Sequence, residues 1–313
     1  MLQRKWATLS DRIEVPLIPD CSACIMDSLK LIVPLLIPDE NLQAEYFALA
    51  FRLISEGYKD RIEPAPLSIG MYQKLYTKAG NKDPFAEIKK ISTEAALKAL
   101  PTIDKIIEPL QGIERFRACL SAAITGNVID FNTGGHEPDL DSLVEVFDSI
   151  QTEGFAIDNS EHLWRSLNAH TGKLLFLADN AGEHILDIPL IRLIKDLGWS
   201  ITYIVKGQAM INDVTIEEVR GTEIEELAEI ADSGAWAHGV PLQWVSKEFL
   251  QHVSDSDLVI SKGQANIETF PEIQRNYNVE TYYITRAKCA HISQAVGATK
   301  GDSVVLRRSK PNV

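Results

Sequence analysis

Two acid–amide pairs and a set of cations carry most of the chemistry this chain could perform. Asp179 and Asn180 stand side by side with Gly182 and Glu183 close behind, and Asn212 and Asp213 follow Lys206-Gly207-Gln208. Oxygen donors from two separate stretches could surround one hard dication, and such donors suit Mg2+ or Mn2+ better than a thiolate-seeking metal. Each pair alone also has a simpler use, because an Asp or Asn side chain opens a helix and an acid in the first turn complements its dipole. Together the pairs favour the metal. Ser261-Lys262-Gly263-Gln264 places a lysine before a glycine and a helix start, where an ammonium and unbonded helical N–H groups can hold an anion. The plain alternative is a surface lysine beside a turn. Arg286 and Lys288 add two cations. In a chain with 31 basic and 44 acidic residues, net charge −13, three cations at one edge suggest a phosphate.

Other features are less specific. Gly126 stops a helix, and Asn127 and Asp130 behind it could face a cleft or form an ordinary polar loop. Cys21 and Cys24 form one C-x-x-C, but Cys119 and Cys289 are isolated. A four-cysteine zinc site is therefore disfavoured, and a redox pair lacks its βαβ setting, so two buried thiols on a helix are the default. The histidines are scattered and receive no catalytic role. G-x-G-x-x-G, a P-loop, H-E-x-x-H and G-x-S-x-G are all absent, which removes dinucleotide, P-loop, zincin and α/β-hydrolase chemistry.

These residues must be positioned by a scaffold, and hydrophobic period indicates which. The first half reads as helices. Leu42, Tyr46, Leu49 and Leu53 recur at helical spacing after Asp39-Glu40-Asn41, with Gly57 as the stop. Similar stripes run over 84–100 and 113–124, with further helices over 139–150 and 161–168. The second half alternates short apolar runs at 173–178, 200–205, 241–245, 258–261, 281–285 and 304–306 with helices over 185–196, 217–229, 246–253 and 270–277. This pattern implies an α/β fold, a Rossmann-like, mostly parallel sheet with helices on both faces, preceded by an all-helical N-terminal domain. The expected division is 1–165 and 166–313. Ligands of such sheets sit beyond the strands' carboxyl ends, where the polar stretches fall.

Composition narrows the class further. With 45% hydrophobic and 24% charged residues the chain is globular, and its acid excess argues against clamping nucleic acid or lying on an anionic membrane. No apolar leader or membrane span is visible, and four cysteines are too few for a disulfide scaffold, so a cytoplasmic protein with free thiols is expected. No feature of the sequence assigns an oligomeric state.

The order Cys21-x-x-Cys24, Gly126-Asn-Val-Ile-Asp-Phe131, Ala178-Asp-Asn-Ala-Gly-Glu183, Lys206-Gly through Asn212-Asp-Val-Thr215, Ser261-Lys-Gly-Gln-Ala-Asn-Ile-Glu268 and Lys288-Cys289 resembles the damage-control phosphatase family, in its prokaryotic, C-x-x-C-containing branch. The resemblance spans most of the chain. It implies a helical domain on a Rossmann-like layer and a divalent metal, Mn2+, Co2+, Ni2+ or Mg2+, held by Asp179, Asn180 and Asp213. It also implies Lys262 against the substrate phosphate, with Asp179, Asp213 and Lys262 as the catalytic set. Asn127, Asp130, Glu183, Lys206, Asn266, Glu268 and Lys288 are the residues expected to bind substrate. The implied activity is hydrolysis of small phosphorylated metabolites such as sugar phosphates or related damaged phosphometabolites. Arg286-Ala-Lys288 matches the eukaryotic branch's Arg-Thr-x-Lys only loosely, so Arg286 has no assigned role. The rival readings are an S-adenosylmethionine-dependent carboxylate methyltransferase, which no glycine-rich loop supports, and a binding protein that holds a phosphometabolite without cleaving it.

Overall fold

A computed structural model describes residues 17–129 and 142–310; Asp130 and the first residues of the helix expected from 139 lie outside them. Continuous apolar strands require cover on both faces, and the sheet receives it. Its strands are β1 (Ile157–Asp158), β2 (Lys173–Leu177), β3 (Ser200–Val205), β4 (Glu229–Asp232), β5 (Leu258–Lys262), β6 (Glu280–Arg286) and β7 (Ser303–Arg308). The order across the sheet is β1-β7-β6-β5-β2-β3-β4. All pairs are parallel except β6 with β7, so β6 through β4 share one carboxyl edge. Chain order runs from β2 outward through β3 to β4 and then returns to β5 on β2's other side. The β2/β5 boundary is thus the switch point at which doubly wound sheets open a crevice.

Ahead of the sheet come α1 (Pro19–Leu36), α2 (Glu40–Asp60), α3 (Pro64–Ala79), α4 (Ala86–Ile107) and α5 (Gly112–Thr125). A 3-10 turn (Gly126–Ile129), α6 (Leu143–Glu153) and α7 (Ser160–Ala169) complete the helical part. Between and after the strands lie α8 (Glu183–Leu186), α9 (Ile188–Asp196), α10 (Ile216–Val219), α11 (Ile224–Leu227), α12 (Lys247–Asp255), α13 (Gln264–Tyr277) and α14 (Ala290–Val296). One face of the sheet shares a core with α4, α5, α6 and α9, among them Ile103, Phe116, Phe147 and Ile191. The other is covered by α12, α13 and α14 through Phe249, Phe270 and Ile292. Helices α1 to α3 form a third cluster that closes over Met210, Ile211, Ala235 and Ala237 from loops beyond the carboxyl edge. The apolar core therefore runs across residue 165, since α4 to α6 lie directly on the sheet.

Three local expectations change. Residues 241–245 form a turn, with the Pro241 carbonyl accepting from the N–H groups of Trp244 and Val245. The strand is at Glu229–Asp232, beside β3. It is released there because Gly221, at φ +73°, breaks the expected helix over 217–229 into α10 and α11. Gly57 lies inside α2, which ends with Arg61 in the left-handed region. A Cβ at Gly57 would overlap the Leu67 side chain, so this glycine serves close packing of α2 on α3.

Lys89 of α4 joins the helical part to the loops of the carboxyl edge. It is buried, and its Nζ lies 2.6 Å from Asp83 and 2.7 Å from Glu218, the residue that also closes the capping box of α10. Removing one partner of a buried ion group leaves uncompensated charge. Lys89→Ala should lower unfolding stability by about 3–5 kcal/mol in urea titration; a change below about 1 kcal/mol would show these contacts to be dispensable.

Candidate active site

The loop after β2 and the loop after β3 are bound to each other by backbone. Asn180 and Asp213 form an isolated antiparallel bridge, the Val214 N–H donates to the Asp179 carbonyl at 3.0 Å, and the Ala181 N–H donates to the Asn212 carbonyl at 2.9 Å. Main-chain pairing thus brings Asp179, Asn180 and Asp213 together on neighbouring loops. Asn180 donates through Nδ2 to Asp179 Oδ2 at 3.2 Å and to Glu183 Oε1 at 2.8 Å. With both amide hydrogens committed to carboxylates, Oδ1 is the atom Asn180 can offer a ligand. Gly263, at φ +79°, opens α13 directly beneath Asp179, and a Cβ there would overlap the Asp179 carboxylate. Only glycine meets both conditions.

Behind these residues lies a buried polar network. Lys262 Nζ donates to Asp187 at 2.7 Å and Glu183 at 3.1 Å, and Tyr203 donates to Asp187 at 2.9 Å. Asn127 donates to Glu183 at 2.5 Å, and its Oδ1 accepts from Thr285 and from the Arg286 N–H at 2.9 and 3.0 Å. Lys206 donates to the Ala178 carbonyl at 2.7 Å and stands 3.7 Å from Asp213. Asn266 donates to the carbonyls of Ala178 and Lys262. Among the described residues its buried Oδ1 has no hydrogen-bond partner.

Four acids, Asp179, Glu183, Asp187 and Asp213, therefore meet two buried ammonium groups, Lys206 and Lys262. Burial, then the charges of Glu183 and Asp213, push the Asp179 carboxyl well above the usual range, against the pull of Lys206 and Lys288. Burial likewise raises Asp187 to about 6, with Lys262 opposing. Burial draws Lys262 down, but Asp187 and Glu183 outweigh it and its pKa lies above the ordinary value. Acid in excess of ammonium, in a buried oxygen-rich setting, is the electrostatic condition that a bound dication relieves.

A cavity of about 320 Å³ opens in front, between α1, α3 and the carboxyl edge. Asp179, Asn180, Asp213, Gln264, Glu268 and Lys288 line it. Lys262 does not. It is fully buried and its ammonium, expected at the phosphate, lies against two carboxylates behind the cavity wall, while among the described residues Lys288 is the lysine that lines the cavity. Glu183, Lys206, Asn127 and Asn266, expected to bind substrate, are also buried and do not line the cavity. The thiols differ from expectation in the opposite sense: Cys24 is exposed, Cys21 is half-buried, and both line the cavity with Cys289, because the face of α1 that carries them looks across to α14. Burial raises the pKa of Cys21 and Cys289. Arg286 reaches away, its Nε donating to the Gly301 carbonyl.

Residues 17–304 match the damage-control phosphatase ARMT1-like domain. The chain belongs to the damage-control phosphatase family. It is 31% identical to the damage-control phosphatase of Pyrococcus horikoshii, over 92% of this chain and 96% of that one. It is 27% identical to the damage-control phosphatase of Archaeoglobus fulgidus, over 91% and 97%. An uncharacterised protein of Methanocaldococcus jannaschii is 31% identical over 93% and 95%. The crystal structure of the Pyrococcus horikoshii protein, a DUF89 family member, superposes with a TM-score of 0.81 at 29% identity, covering 94% of this chain and 99% of that one.

Within this damage-control phosphatase fold, the contacts of Asp187, Ser68 and His238 are what reading the sequence missed. Asp187 sits one turn beyond Glu183 and carries no local signal. His238 lies in a loop bracketed by Gly234 and Gly239, both at positive φ, and that pair of glycines was the available cue.

The two lysines should separate cleanly on substitution. Lys288→Ala should raise KM for a phosphate ester about tenfold or more, as loss of a charged contact does, and change thermal unfolding less than substitution of Lys262 does. Lys262→Met should lower the unfolding temperature by several degrees because Glu183 and Asp187 lose their counter-ion. The reverse pattern would return Lys262 to the phosphate.

Proposed function

We propose that this protein is a metal-dependent phosphatase of small, damaged or surplus phosphometabolites, working through Asp179, Asn180 and Asp213. The supporting observation is the backbone bridge between two strand-end loops, which sets two carboxylates and an amide at the wall of one cavity that also holds Lys288. Among the described residues no group of three His, Cys, Asp or Glu side chains is gathered for a metal. The set is acid, amide, acid, and its hard oxygens fit a divalent ion such as Mg2+, Mn2+, Co2+ or Ni2+ better than a thiolate site would. The acid excess points the same way.

A dication bound there would supply Lewis-acid charge to the phosphoryl oxygens. The chain's own residues supply the remainder. Asp179 and Asp213 offer carboxylate oxygens, and Asn180 offers Oδ1 while its Nδ2 holds Asp179 and Glu183 in place. Lys288 meets the ester's anionic head and offsets charge on the phosphoryl group as its bond to the leaving oxygen breaks. Lys262 acts at one remove, by fixing Glu183 and Asp187 and through them the Asn180 amide. Such positioning of charge before the reaction is where most phosphoryl-transfer catalysis arises.

Among the described residues no helix is long and apolar enough to cross a membrane. We place the enzyme in the cytoplasm, where small phosphorylated metabolites accumulate. Phosphate release from a panel of phosphorylated metabolites and from p-nitrophenyl phosphate should require a divalent ion, stop on chelation and return on adding metal back. Asp179→Ala should lose about 10³-fold or more in kcat. Hydrolysis that persists in excess chelator, or an Asp179→Ala variant of wild-type rate, would rule out this assignment.

A further inference from the structure

The face of α13 that lines the cavity leads away from the carboxyl edge. Its start meets that edge: Gly263 packs against the Asp179 carboxylate, and Gln264 Oε1 accepts from the Lys288 N–H at 3.3 Å. One turn further along stands Glu268, half-buried and also on the cavity wall. Residues four apart share a helix face, and the step from Gly263 to Glu268 rises about 7.5 Å along the axis. The edge residues Asp179, Asn180, Asp213 and Lys288 and this further carboxylate therefore mark two ends of one space. Ile25, Pro64, Ala65, Ile211 and Ile292 add apolar wall to it.

The two ends differ in charge. At the edge, Lys288 draws the Asp179 carboxyl down against burial and the neighbouring acids. At Glu268, burial and then the charge of exposed Glu63, the residue ahead of α3, push the carboxyl up to about 7, and among the described residues no cation or hydrogen-bond donor opposes them. The titratable groups around it do not neutralise it. Burial and the charge of Glu268 raise the thiols of Cys21, on α1, and Cys289, ahead of α14, while backbone contacts draw them down. Burial holds His291 of α14 below its ordinary value against the pull of Asp20, so the ring carries no lasting charge at neutral pH. A carboxylate walled in without a donor is costly, and a ligand that brings one removes the cost.

Resting on the phosphatase reading, we propose that Glu268 selects phosphate monoesters whose far end carries an ammonium group. The phosphoryl group lies at the carboxyl edge, and the ammonium donates to the Glu268 carboxylate in a charge-assisted hydrogen bond. The helical rise of about 7.5 Å between the two ends is close to the length of an extended four-carbon amino ester. A hydroxyl at the far end makes a weaker bond to the same carboxylate. A second carboxylate or phosphate there is repelled, so the site discriminates against doubly anionic metabolites by the same residue.

The test reads binding as inhibition of p-nitrophenyl phosphate hydrolysis by 4-aminobutyl, 4-hydroxybutyl and 3-carboxypropyl phosphate, esters of one length that differ in the terminal group. At about pH 8, where a carboxyl of this kind is ionised, the amino ester should bind wild type about tenfold more tightly than the hydroxyl ester, and the carboxylate ester should bind worst. Glu268→Gln should bring the amino and hydroxyl esters within about twofold of each other. An inhibition constant is independent of the fraction of enzyme folded, so partial unfolding does not imitate the effect. In wild type alone, the preference for the amino ester should grow from about pH 6 to about pH 8 as Glu268 gives up its proton, a result that needs no variant to fold. Equal constants for the two esters in wild type, or a preference that survives in Glu268→Gln, overturn the role of Glu268. Failure of wild type to cleave p-nitrophenyl phosphate with any of the four divalent ions overturns the phosphatase reading, and this inference with it.

Discussion

The structure depends on a short length of main-chain pairing between two loops that leave the sheet at adjacent strands. The Asn180–Asp213 bridge and its flanking hydrogen bonds fix where the backbones carrying two carboxylates and an amide stand relative to each other. Backbone pairing is the right device, because side chains that repel one another cannot hold themselves together. Charge of one sign in a buried place is costly, and the chain meets that cost in layers. Lys206 leans on Asp213, Lys262 braces Glu183 and Asp187, and Asn180 and Asn127 donate to the acids they touch. The remaining negative charge faces the cavity, where a cation and the anion it carries have room.

The fold gives that arrangement its place. Strands β2 and β5 meet at the point where the chain reverses direction across the sheet, and the crevice there receives Asp179 from one strand and Gly263 with α13 from the other. Helices α1 to α3 roof the crevice through a separate apolar cluster, so a cavity forms between roof and sheet edge. Roof and edge each line that cavity with polar groups: thiols from α1, a serine from α3, acids and Lys288 from the edge.

Much of this was legible in the sequence, for a physical reason. Strand ends in a parallel sheet are marked by a switch from continuous apolar to polar residues, so Asp179, Asn180, Asp213 and Lys288 could be placed at one edge from local pattern alone. What could not be read was which side of the wall each residue faces. Lys262 ends a strand as expected, yet its ammonium turns inward to partners 75 and 79 residues earlier in the chain. Cys21 and Cys24 carry a helical spacing compatible with burial, and only the docking of α1 against the sheet edge leaves them on the cavity wall. His238 is held by a serine 170 residues away, a relation with no local trace. Strand β4 was hidden because an acidic, helix-favouring stretch is interrupted by a single glycine, whose positive φ is a tertiary fact.

The central claim is that Asp179, Asn180 and Asp213 enclose one dication. Crystals soaked in Mn2+ and measured near the manganese absorption edge test it directly. The account predicts a single strong anomalous peak within bonding distance of both carboxylates and of Asn180 Oδ1. A peak among Cys21, Cys24 and Cys289, or none at the carboxyl edge under conditions that support turnover, would contradict it.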